Sequence, residues 1–206
     1  LAQPLLFKLN SDVLEGIAYA NLLGDYSYLS SGYYDSLDAE LSNLTIIPTT
    51  QDILDAYVVP IAMEKANVNE LATPPYDIIT DKLPPPPMMA YPINPFFNTG
   101  ELITEKENLE QRRKALSMTG KYAVLCQRLE GDYRIDIIRC VMGKCLNELY
   151  RVFARDVFEI FRIPLMRIRV IVVAKEYQLS AIEPLKYDEL TLNEKKLLSE
   201  MGSWQS

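Results

Sequence analysis

The sequence predicts an α+β fold: one domain over residues 1–206, an antiparallel sheet with helices packed mainly on one face, and a long Pro-rich connection. Three observations carry this. Two stretches of period-two alternation, 121–141 and 166–184, flank a strongly periodic helical stretch at 146–161, and the order hairpin, helix, hairpin is that of an α+β domain. A proline-dense segment separates them from a helical first third. With 49% hydrophobic and 24% charged residues, the chain has the balance of a globular protein, long enough to bury roughly 70% of its unfolded surface.

After a tyrosine-rich loop, Tyr33, Leu37 and Leu41 recur every fourth residue, which predicts a short helix with those side chains on one face. Leu44–Ile47 is an apolar run closed by Pro48, a strand, with Thr49 and Thr50 placed to cap the next helix. In that helix Ile53, Leu54, Tyr57, Val58 and Ile61 form one stripe; Pro60 cannot donate to the preceding turn, so a kink is expected near Val59. Pro74, Pro75, Pro84 to Pro87, Pro92 and Pro95 then exclude helix and central strand, so the segment must run extended. The expected outcome is an arm or loop over 73–98, either a ligand for a partner domain or a rigid connector over a sheet edge.

Thr104 and Glu107 have capping-box spacing, predicting a helix through LEQRRKALSM that stops at Gly120. Tyr122, Val124 and Cys126 alternate with their neighbours, Glu130-Gly131-Asp132 makes a turn, and YRIDIIRCV resumes the alternation, so the two runs read as a hairpin. Leu146, Leu149, Tyr150, Phe153, Val157, Ile160 and Phe161 mark a helix that Pro164 ends. MRIRVIVV and YQLSAIEP form a hairpin around Lys175 and Glu176, and Thr191 boxed by Glu194 opens the last helix.

Composition excludes whole classes of function. With 21 basic and 28 acidic residues the net charge is −7, which repels a phosphate backbone, so no nucleic-acid partner is expected. No run is long and apolar enough for a membrane span. Three cysteines, an odd number set in apolar runs, read as reduced buried thiols, and the opening LAQPLLFKLN lacks the pattern of a signal peptide; a cytoplasmic location is expected. The absence of histidine removes Ser-His and Cys-His pairs and most zinc sites. No glycine pattern forms a dinucleotide turn or a P-loop, so the sequence points to no catalytic residue, cofactor or metal.

The candidate binding residues lie elsewhere. Arg134 and Asp136 share one face of a predicted strand, and Arg167 and Arg169 share a face of another. If the strands pair, these charges gather where arginine forks could hold a carboxylate or phosphate; the alternative is a solvated face of cross-strand pairs. Tyr33 and Tyr34, with Tyr26 and Tyr28, could line a protein interface or pack internally.

The tyrosine loop with Gly32-Tyr33-Tyr34, the Ser36–Glu40 helix and the Pro48–Leu54 segment resemble the RimK-like ATP-grasp N-terminal domain. So do YRVFARDVFEIFRIPLMRIRV and SAIEPLKYDEL, which match its closing helix, Pro-Leu-x-Arg strand and final hairpin. Together the matches cover residues 25–54 and 150–190. The middle, IPTTQDILDAY through KYAVLCQRL, is similar to an ATP-grasp central region, although the Pro-rich part is longer than the family pattern. The resemblance implies a non-catalytic accessory domain whose partner is an ATP-grasp ligase or its peptide substrate. Two rivals stay open: a small ATP-dependent carboxylate–amine ligase holding phosphate with Arg134, Arg167 and Arg169, and a scaffold or homo-oligomerisation module using the Pro arm.

Overall fold

The computed structural model describes residues 6–94 and 99–205, so the part of the expected arm at 95–98 lies outside the described residues. In chain order the strands are β1 (Phe7–Leu9), β2 (Tyr19–Ala20), β3 (Ile46–Ile47), β4 (Tyr76–Ile79), β5 (Met88–Pro92), β6 (Glu101–Ile103), β7 (Val124–Arg128), β8 (Tyr133–Val141), β9 (Leu165–Val173), β10 (Glu176–Pro184) and β11 (Gly202–Trp204). The helices are α1 (Ser31–Leu41), α2 (Thr50–Tyr57), α3 (Val59–Val68), α4 (Leu109–Leu116), α5 (Arg151–Phe161) and α6 (Leu192–Ser199). The α+β class is as expected, with three sheets ordered β11-β1-β2-β3, β4-β7-β5-β6 and β10-β9-β8. The chain divides into two compact units, neither of them a continuous stretch.

The first unit holds Leu1–Ala56, Ile138–Ile168 and Glu183–Ser206. Its small sheet pairs Phe7 with Trp204 and Ala20 on antiparallel neighbours, and β2 with β3 in parallel. The buried face of α1 is Gly32, Ser36 and Ala39, not the apolar face of Tyr33, Leu37 and Leu41; Leu41 is 73% exposed. Close approach decides this. The buried Asn21 donates from Nδ2 to the Gly32 carbonyl at 2.7 Å and to Ser36 Oγ at 3.0 Å, and a Cβ on Gly32 would collide with the Asp25 carbonyl oxygen. Only small side chains fit that face. Helix α5 buries Phe153, Ala154, Val157, Phe158 and Phe161 at the predicted spacing. Leu146 and Leu149 fall outside it and are exposed, because a 3-10 turn at Glu148–Tyr150 precedes the helix. Thr191 and Glu194 form the reciprocal capping box of α6.

The second unit holds Tyr57–Ile137 and Arg169–Ile182. Pro60 sits in the first turn of α3, where its missing N–H removes no helical bond; the expected kink is therefore a break between α2 and α3, with Val58 extended. The sheet's inner strands are buried throughout, Met88–Pro92 in β5 and Val124–Gln127 in β7. Leu83, Met88, Ala90, Ile103, Leu116, Val124 and Cys126 form one core cluster. Gln127 Nε2 donates to the Ser180 carbonyl at 2.8 Å, Ser180 Oγ donates to Gln127 Oε1 at 2.6 Å, and the Tyr91 hydroxyl meets Ser180 Oγ at 2.7 Å. Every polar group of this buried set is thereby matched, which makes it a structural network.

Three expectations are corrected in this unit. The proline-dense segment carries two strands, β4 and the inner β5, with the four consecutive prolines confined to the link between them. Proline lacks only the donor: the Pro75 and Pro87 carbonyls accept from Arg128 N at 2.8 Å and Leu129 N at 3.2 Å, and Pro92 stands at the end of its strand. Thr104 and Glu107 box no helix, since β6 runs to Ile103 and the chain turns before α4 starts after a left-handed Asn108. Finally, β7 and β8 are not a hairpin. Both edges of β7 are taken, by β4 and β5, so the Glu130–Asp132 turn delivers β8 to a different sheet. The β9–β10 hairpin does form, closed by Ala174 and Lys175 at φ 49° and 73°, the paired left-handed residues of a two-residue turn.

Candidate functional site

Helix α1 places Tyr33 and Tyr34 on the surface of the first unit. Its start is fixed by Ser30, whose Oγ accepts from Tyr33 N at 3.2 Å while donating to the Asp25 carbonyl at 2.8 Å. The rings of Tyr28 and Tyr33 meet edge to face at 5.5 Å between centroids, and Tyr33 meets Tyr34 likewise at 6.1 Å. Tyr34 is 47% exposed, Tyr28 37% and the neighbouring Leu29 44%. The fourth tyrosine behaves differently: Tyr26 is buried and its hydroxyl donates to the Asn21 carbonyl at 2.6 Å. One ring anchors the loop, and three form an aromatic row with an apolar neighbour, the composition that contact surfaces favour. Beside the row, partial burial first and the Asp38 charge second raise the Asp35 carboxyl above its ordinary range.

In the second unit Arg134 Nε donates to Asp136 Oδ2 at 2.8 Å along the same strand. Arg169 also lies in that unit, half-buried on β9. Arg167 belongs to the first unit, where Nε donates to the Pro184 carbonyl at 3.0 Å and Nη2 reaches both oxygens of Glu189, at 3.0 and 2.8 Å. The Lys186 N–H foremost, and the Arg167 guanidinium with it, hold the Glu189 carboxyl below its ordinary value.

Sequence reasoning missed the other strong pair in the first unit. Arg139 Nε and Nη2 donate to the two oxygens of Glu194, each at 2.8 Å, and Nη2 also donates to the Glu189 carbonyl at 2.8 Å. Glu194 is buried, and burial alone would raise its pKa; the Arg139 and Thr191 hydrogen bonds overcome that and leave it lowered. Its spacing from Thr191 signalled a cap, but nothing local linked it to β8.

Among the described residues no group of histidine, cysteine, aspartate or glutamate has the arrangement of a metal site, and no helix is long and apolar enough to cross a membrane. The thiols are poor nucleophiles: burial, then the Asp77 charge, pushes Cys126 up to about 12.

A family model described as the RimK-like ATPgrasp N-terminal domain matches residues 10–84 and 93–201. No curated protein matches the sequence. Solved structures match in fold. D-alanine–D-alanine ligase from Helicobacter pylori superposes with a TM-score of 0.57 at 13% identity, over 80% of this chain and 66% of that one. The D-alanine–D-alanine ligase of Bacillus anthracis gives 0.58 at 9% identity, over 81% and 69%. A RimK domain ATP-grasp protein from Sphaerobacter thermophilus gives 0.56 at 8% identity, over 81% and 72%. The chain thus spans 66 to 72% of the length of these three proteins.

Proposed function

From the premise that this chain belongs to the RimK-like ATPgrasp N-terminal domain family, we propose that it is an accessory domain without activity of its own, binding an ATP-grasp ligase or that ligase's peptide substrate. The observation that carries this reading is the row of rings Tyr28–Tyr33–Tyr34 on the Gly32-Tyr33-Tyr34 segment, its two ends exposed and Tyr33 half-buried between them. Rigid aromatic rings beside an exposed leucine offer contact area at little entropic cost, and such side chains dominate the energy of protein interfaces. A cytoplasmic setting goes with the proposal, supported by three free, buried cysteines.

A second reading, a small ATP-dependent carboxylate–amine ligase, draws support from the likeness in fold to ATP-grasp ligases over 80% of the chain. Two titrations separate them. Immobilised RimK-type ligase should retain the chain, and Tyr34→Ala and Tyr28→Ala together should weaken retention by about tenfold or more with an unchanged melting temperature. Calorimetry with ATP and magnesium should give no saturable heat. Micromolar nucleotide binding would overturn the accessory reading in favour of the ligase.

A further inference from the structure

The first unit carries a cavity of about 860 Å³, lined by Leu14, the 142–146 segment, α5 and Leu197 of α6. Its shape starts from one tight turn. Val141 and Lys144 exchange backbone hydrogen bonds at 2.9 Å, with Met142 at φ 48° and Gly143 at φ 78° between them. Both central residues are left-handed, the two-residue hairpin geometry that asparagine and glycine adopt at least cost. Glycine is required at the second position, because a Cβ there would stand 2.8 Å from Phe158 Cδ1. The first position holds methionine instead, which sets a polarizable, adaptable thioether in the cavity wall.

The wall and the rim differ in chemistry. Met142, Cys145 and Phe158, all buried, make an apolar wall, while Leu146 and Val152 at its edge are 57% and 61% exposed. Leu149, in the turn between them, is 70% exposed. Four cations, Lys144, Arg151, Arg155 and Arg162, line the cavity against one carboxylate, Glu159. In a chain of net charge −7 this is a local reversal of sign. Arg151 pairs with Glu148 at 2.9 Å, and Arg155 with Asp156 at 3.1 Å and with Glu159 at 3.7 Å, but these are exposed pairs, readily exchanged for a partner's carboxylates. Lys144 and Arg162 have no carboxylate partner among the described residues.

We propose that this groove docks an acidic, amphipathic peptide segment of a partner protein, with apolar side chains against Met142, Cys145 and Phe158 and carboxylates on Lys144, Arg151, Arg155 and Arg162. A small molecule would leave the exposed leucines and arginines of the rim uncovered, whereas a peptide lies along them. A flat bilayer would not reach a recessed wall. A second copy of this chain approaches against the repulsion of two net charges of −7.

The test is fluorescence anisotropy of a labelled helix-forming peptide of roughly 16 residues, with leucine at every third and fourth position and glutamate between, beside a version with lysine for glutamate. The full chain should bind the glutamate peptide at least about tenfold more tightly than the lysine peptide, and more weakly as salt rises. Arg155→Glu with Arg162→Glu, both exposed, should abolish that preference while circular dichroism and melting temperature stay unchanged; Tyr34→Ala should leave it intact. Equal binding of the two peptides, or an unaltered preference in the charge-reversed variant, would overturn the proposal. So would binding to phosphatidylglycerol vesicles without peptide binding, which assigns the groove to a membrane. A dimer that the charge reversal dissociates, with no peptide binding, assigns it to a second copy.

Discussion

Cys126, Cys140 and Cys145 are buried free thiols, and for Cys126 and Cys140 burial is the main cause of a raised pKa. A thiol-specific disulfide reagent at pH 8 should therefore leave the native chain unmodified over minutes and titrate all three cysteines once denaturant is added. Fast labelling of one thiol in the native state would contradict this burial. The thiols were legible in sequence because apolar flanks and an odd count both point to reduced cysteine. The partners of the arginines were not. Period-two alternation puts Arg167 on a face of β9 but cannot reach Glu189, which stands in a turn beyond β10 and approaches through the fold. Arg139 and Glu194 are likewise 55 residues apart in sequence.

At the scale of elements, periodicity located the helices better than it named their inner faces. The stripe of α5 was right because large apolar side chains can pack only inward there, whereas α1 turns small residues inward and leaves Leu41 outside. The density of prolines argues against an inner strand, yet β5 ends on Pro92 in the middle of a sheet. This changes what the proline run does. Deleting Pro84–Pro87 removes the link that carries the chain from β4, past β7, to β5 and displaces the buried Leu83, so stability should fall by about 2–5 kcal/mol, the range for losing a large core side chain. The exposed Pro85 replaced by alanine should shift it by less than about 1 kcal/mol. Urea melts compare the two, and an unchanged midpoint on deletion would restore the picture of a free arm.

For the whole molecule, stability in acid depends on carboxylates that are ionised in the fold. Glu194 and Glu189 have folded pKa values below their ordinary 4.5, so their contribution is complete above about that pH and is lost as pH falls through the folded values. The melting temperature should fall steeply below pH 4.5. Glu194→Gln, which loses the ionic bond to Arg139, should melt lower than the parent at pH 7 and show a shallower acid limb; parallel curves would remove Glu194 from that role. Sequence by itself determined the α+β class, the spacing of α5, the α6 cap, the β9–β10 hairpin and the family, because each rests on neighbours within a turn or two of chain or on contiguous motifs. Only the tertiary structure decided that β7 and β8 part into separate sheets, which tyrosines face outward, and which carboxylates neutralise Arg139 and Arg167. Strand partners and ion pairs depend on which edges and charges are already occupied, and occupancy is a property of the folded chain.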